Sequence, residues 1–217
     1  MFIKKYFIFF LLFIFSNISL FTQSPSFPGG PGDSKDNGYE LWNKEHLMEL
    51  GDSVLNSHYP NYSIWHYGKH FLLMQDIDTI KQNIASFRGY FHGNRKKAVA
   101  YLEEICLFNG IIDGGTLDSL IFEGYINNAA GIVAFITSSY AMPPLPLSIV
   151  SHCINNATFI GDSAWSPITN TWYYYPAAGI AYQNSGIISH CINNGSVSGV
   201  DRIGGIAGDN NGTIENA

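Results

Sequence analysis

Two histidines and two cysteines sit in the same short phrase, SHCINN, spelled at 151–156 and again at 189–194. Imidazole nitrogens and thiolates are the usual ligands of a structural zinc, which takes four. His152 and His190 align elsewhere with Ser119 and Asn216, and no carboxylate or thiolate at suitable spacing completes a set. The reading therefore assigns no metal and no other cofactor, and expects the histidines to be solvent-facing bend residues. Cys153 and Cys191 fall where Leu120 and Ala217 stand in other copies, so the position wants an apolar side chain. Stacked free thiols and a disulfide both fit that placement.

Two further sets of residues carry possible chemistry. Asp76 and Asp78 would share one face of a strand, as general acid–base work on a glycosidic bond requires of two carboxyl groups. A DID triplet at the start of a repeat region also serves plain turn and edge roles. The β-helix polysaccharide lyases and hydrolases spread acids and bases over several coils, whereas here the coils hold Arg202 as their one Lys or Arg. No catalytic residue is assigned. The aromatic stretch with Trp165, Trp172, Tyr173, Tyr174 and Tyr175 is the tentative ligand-binding site, because aromatic faces stack on sugar rings and anchor protein interfaces. Its alternative role is a lid that buries those rings against the fold. Tyr140, Met142 and the Pro-rich stretch 143–146 extend the same surface if both loops emerge on one side.

The elements that must position these groups follow from a repeat. TLDSLIFEGYI (116–126) aligns with IISHCINNGSV (187–197), and TIENA (213–217) aligns with the start of the same segment, IISHC (187–191). One apolar column is then Leu117, Val150, Ile188 and Ile214, and a second, three positions on, is Leu120, Cys153, Cys191 and Ala217. A third is Ile126, Phe159 and Val197, with Gly124, Ala157 and Gly195 as small residues before it. A second motif recurs between copies as AAGIVAF (129–135), AAGIAYQ (177–183) and GGIAGDN (204–210). A unit of roughly 26 residues, made of short strands and Gly/Asn turns, is the mark of a solenoid whose neighbouring coils stack like residues on like. Positions three apart cannot share a face of a flat strand, so a bend is expected at Ser189-His190 and its equivalents. The two SHCINN copies stand further apart than one such unit, and the surplus is expected to loop outward within 162–176; a similar loop is expected over 137–147.

The rest of the chain is organised more simply. Lys4 and Lys5, the apolar run Tyr6–Phe15 and a polar end read as a signal peptide over 1–23, too short for an ordinary membrane span. SPSFPGGPGDSKDNG reads as a flexible linker over 24–38, followed by a helix over about 44–57 capped by Asn43 within a lead-in of first strands (39–104). LLMQDIDTI (72–80) reads as a strand with an acidic turn, and FRGYFHGN sets Phe87, Gly89, Phe91 and Gly93 at alternate positions. The net charge is −6, and after Lys97 Arg202 faces nine Asp and Glu. Nucleic acid is excluded as a partner for want of a basic footprint, and anionic membrane surfaces are disfavoured likewise. Three cysteines are too few for a disulfide framework.

GGIAGDNNGTIENA, with AGIAYQNSGIISHCINNGSVSG before it, resembles the GLUG-type repeat of bacterial exported and cell-surface proteins; GYELWNKEHLMELGDSV, DIDTI and FRGYFHGN are similar to the lead-in of such arrays. The resemblance spans about 39–217 and is most specific from about position 178 onward. It implies a right-handed parallel β-helix, export, and a surface or adhesive role. GGIAG alone keeps glycine at both ends of the motif, and Phe135 and Tyr182 stand near the closing position of the others. No HExxH is present, so the peptidase activity of some large members is not implied.

The expectation is thus a mainly β chain. It comprises a right-handed parallel β-helix (solenoid) of about three to four coils over 105–217, with the short helix as cap or lead-in. It is exported or held at a cell surface, and it binds a glycan or surface protein. A carbohydrate-active enzyme and a purely structural stalk are the alternatives. Ala217 falls on a core position, and that end is expected to be covered by further repeats of a longer array or by a partner.

Overall fold

The structure, a computed structural model, describes residues 27–55, 65–103, 106–127, 131–137, 146–161, 163–166, 170–174 and 177–217. The expected signal peptide and most of the 137–147 loop lie outside the described residues. Among those described, no helix is long and apolar enough to cross a membrane.

The chain winds through three parallel sheets in turn. The first sheet takes, in chain order, Tyr39–Leu41, His70–Leu73, Tyr90–His92, Thr116–Asp118, Ile149–Ser151, Ile187–Ser189 and Thr213–Glu215. The second takes Ile77–Ile80, Lys97–Glu103 and Ile121–Asn127, then two split strands, Ile154–Asn155 with Thr158–Ile160 and Ile192–Asn193 with Val197–Ser198. The third takes Ile84–Phe87, Phe108–Ile112, Val133–Thr137, Ala181–Asn184 and Ala207–Asn210. The pairings within these sheets are parallel, as a parallel β-helix requires.

Registers confirm the repeat. Tyr90 pairs with Thr116 and Ile187 with Thr213, each a step of one plain unit. The steps from Thr116 to Ile149 and from Ile149 to Ile187 are longer, because each carries an insertion. Leu117, Val150 and Ile188 are fully buried in one column, and Leu120, Cys153 and Cys191 in the next. The bend that reconciles the two columns is a left-handed residue at each corner: Ser119 (φ 57°), His152 (52°), His190 (52°) and Asn216 (51°). Asn and His tolerate that region better than most residues, and a polar side chain there faces water.

Coils approach closely where the sequence is small. A Cβ on Gly124 would lie 2.0 Å from the Ala100 carbonyl oxygen, and one on Gly195 1.9 Å from that of Ala157. Inward asparagines tie the coils together. Asn155 Nδ2 donates to Asn193 Oδ1 (2.7 Å), and Asn184 Nδ2 to Asn210 Oδ1 (2.8 Å). Asn155 and Asn184 are fully buried, and their side-chain oxygens accept from the backbone N–H of Ala157 (2.9 Å) and Gly186 (3.0 Å). These bonds satisfy amides that burial would otherwise penalise.

Two expectations need correction. The stretch 27–38 is not a flexible linker: Phe27 is 7% exposed and packs against Tyr39, Trp65 and Phe71. That segment's backbone closes on itself and on the first strand, with Gly32 N–H donating to Asn37 O (2.8 Å) and Glu40 N–H to Pro28 O (2.8 Å), and Lys69 pairs with Asp33. A single buried aromatic with satisfied turns suffices to hold it. The stretch 72–80 is not one strand but two in different sheets, with the corner at 74–76. The ladders extend into the lead-in as well: the described chain makes five passes through the three sheets, and the stretch 105–217 holds the three to four coils expected of it.

The helix runs Lys44–Leu55, and Asn43 caps it by accepting the His46 N–H at its side-chain oxygen (2.9 Å). Its buried face, Leu47, Leu50 and Val54, covers the first strands of the second and third sheets.

Candidate functional site

The best-organised polar cluster lies at the corner between the first and second sheets. Stacking brings His92, Asp118, Ser151, Ser189 and Glu215 into one outward column, because they are successive register partners. The left-handed residues beside it form a second column. Asp118 accepts hydrogen bonds from Ser119 Oγ (2.9 Å), Ser151 Oγ (2.8 Å) and His152 Nδ1 (3.0 Å). Partial burial works against its ionisation, but the three donors outweigh it and hold the carboxyl below its ordinary range. His152 and His190 stack with ring centroids 5.0 Å apart, and His190 Nε2 lies 3.4 Å from Asn216 Nδ2.

This constellation has the residue types of a hydrolytic triad without its connectivity. A nucleophilic serine must give its proton to the imidazole, whereas Ser151 donates to Asp118. Asp118 and Glu215 are three rungs apart in their column, about 14 Å, beyond the separations that glycoside hydrolysis uses. The histidines are the exposed bend residues expected of them, and no group of three or more potential metal ligands occurs among the described residues. Asp118 itself was not singled out from the sequence, although TLDSL, IVSHC, IISHC and TIENA, once aligned, put Asp, Ser, Ser and Glu in its column.

Upstream in the same sheet, His70 Nδ1 and His92 Nε2 share one proton across 2.9 Å, with Tyr90 stacked on His70 at 4.5 Å. Burial pushes His92 down to about 4, with Lys35 adding to the effect. Its Nδ1 is buried without a hydrogen-bond partner.

The other expected residues separate. Asp76 Oδ1 accepts the Lys97 N–H (2.9 Å) at the corner, and Asp78 Oδ1 accepts that of the left-handed Thr79 within its own strand (2.6 Å), so both exposed carboxylates serve the backbone. Cys153 and Cys191 are unbonded and buried; burial pushes the Cys153 thiol up. The aromatic stretch forms an antiparallel hairpin, Ser163–Ser166 with Thr171–Tyr174, in which Trp165 pairs with Trp172 and Ala164 with Tyr173, while Ser163 pairs with Tyr174. Trp172 is 54% exposed, so its ring does not serve as a buried lid. Tyr175 lies outside the described residues.

Two insertions interrupt the coils. The hairpin is inserted before the third-sheet strand Ala181–Asn184, and the other loop departs after the third-sheet strand Val133–Thr137 of the preceding coil. The two strands of the hairpin lie within the described residues, and most of the other insertion lies outside them. No protein-family profile, curated protein or solved structure matches this chain.

Proposed function

We propose that the chain is an exported or cell-surface β-solenoid that works by binding, as an adhesion or ligand-binding module without a reaction of its own. The observation that carries this reading is the inserted hairpin, Ser163–Ser166 with Thr171–Tyr174, which presents Trp172 at 54% exposure. An exposed indole offers a large contact area at the cost of ordering only two side-chain torsions, which is why such residues anchor interfaces. The resemblance of the stretch 177–217 to GLUG-type repeats points the same way, toward a glycan or surface protein as ligand. The Asp118 cluster supports the wall of the stack; its carboxylate is fully engaged by Ser119, Ser151 and His152.

The test is binding of the full chain to an array of immobilised oligosaccharides and to whole cells, with Trp172→Ala and Tyr174→Ala alongside. Loss of binding with an unchanged melting temperature is the expected result. A variant that melts earlier yet binds as before would show the hairpin to be structural, and a natural chain that binds neither the array nor the cells would sink the proposal.

A further inference from the structure

The outward face of the third sheet has the composition of a sugar-binding platform. Between the inward pairs Val133 and Ile136 of one coil and Ala181 and Asn184 of the next, Phe135, Tyr182 and Gln183 face outward. Phe135 is 39% exposed and meets the Tyr182 ring edge to face, centroids 5.7 Å apart. Like partners in the adjoining coils are glycines: Gly110 pairs with Phe135, and Gly208 sits against Tyr182. With no side chain on either flank, the two rings stand as a ledge and are not buried by their own ladder.

Polar groups converge on this ledge. Arg202 lies over the Tyr182 ring, Cζ 5.4 Å from its centroid, and is held there by Asp201 (2.9 Å) and Asp209 (3.2 Å). Gln183 is the register partner of Phe135 on one side and of Asp209 on the other. A depression of about 130 Å³ opens beside it, lined by Phe135, Ile136, Thr137, Gln183 and Ser185. Aromatic faces carry negative charge density that attracts the C–H face of a pyranose, and amide, carboxylate and guanidinium groups at the edge suit its hydroxyls. One guanidinium against two carboxylates leaves the rim negative, as is the whole chain at −6. Uronic or sialic acids would be repelled.

We infer that the ligand is a neutral glycan chain seated on the third sheet, with Phe135 and Tyr182 as its stacking surface and Gln183, Arg202 and Asp209 as its hydrogen-bonding edge. This inference rests on the binding role proposed above and assigns it a site and a ligand class.

The experiment is isothermal titration of the full chain with cellotetraose, chitotetraose and mannotetraose, and with an oligogalacturonate as the acidic counterpart. At least one neutral oligosaccharide binds, the acidic one does not, and Phe135→Ala, Tyr182→Ala and Gln183→Ala each weaken binding about tenfold or more. Gln183→Ala removes only a surface amide, so it keeps the test valid if an aromatic variant unfolds. Binding that survives all three substitutions but is lost in Trp172→Ala overturns the seat and leaves the binding role standing. A preference for the oligogalacturonate overturns the ligand class. No binding to any of the four overturns the inference, and no binding in the array and cell assays overturns the binding role as well.

Discussion

At the scale of single residues, the chain keeps two imidazoles neutral where the fold encloses them. His92 is held near 4 by burial and by Lys35, and His70, lowered for the same reasons, shares its proton. A histidine that is neutral when folded binds more protons when unfolded. Its contribution to stability is therefore whole above about pH 6.5 and is lost as pH falls toward about 4. Melting temperature should drop across that window in the natural chain and drop less in His92→Gln. A parallel decline in both, followed by circular dichroism, would place the acid sensitivity elsewhere. The repeated SHCINN is explained at this scale too. Ser151 and Ser189 stack in the outward column, the histidines take the left-handed corner, and the cysteines fill the core. Each asparagine meets its own copy: Asn155 with Asn193, and Asn156 with Asn194 (3.2 Å). Identity recurs because each of these side chains, or its immediate surroundings, is met again one rung away.

At the scale of elements, the coil is specified by where bulk is forbidden and where a buried amide is answered. Gly195→Ala sets a methyl 1.9 Å from a backbone carbonyl and should cost about 1–3 kcal/mol in urea denaturation. Gly205→Ala meets nothing within 4 Å and should leave stability nearly unchanged, which makes it the matched control. Asn184→Ala removes a fully buried side chain bonded to Asn210, Gly186 and Thr213, and should cost about 2–3 kcal/mol. Asn43→Ala, which uncaps the helix, should cost about 1 kcal/mol. Measured losses below a few tenths for Gly195→Ala, Asn184→Ala and Asn43→Ala alike would mean that these contacts do not hold the elements.

Legibility followed the repeat at this scale. Leu117, Leu120 and their equivalents could be read as two core columns separated by a bend, because positions three apart cannot share one face of a straight strand. The first coils were not legible, because HFLL and YFH share only an inward phenylalanine with one another and none with TLD or IVS, which is too little to align. Phe27 in a Pro/Gly-rich stretch gave no periodic signal, since one buried ring has no period. Asp118 and the Phe135–Tyr182 ledge escaped notice for a different reason: their partners come from other coils, which lie far away in sequence order.

At the scale of the whole molecule, every placement above depends on the register of the stack. The third-sheet face exists only if position 135 lies over position 183. The first sheet offers a direct ruler, because Glu40, Leu72, His92, Asp118, Ser151, Ser189 and Glu215 are successive register partners. Glu40 and Glu215 stand near the two ends of the described chain, yet only six rungs separate them in space, a span of about 29 Å at the parallel-strand spacing. The decisive measurement is the distance between spin labels at these two positions, attached through an introduced ketone-bearing amino acid so that the three buried cysteines stay intact. A single narrow distribution centred near that span is the predicted result; a broad one, or one centred well beyond it, would contradict the stacked solenoid and the binding face built on it.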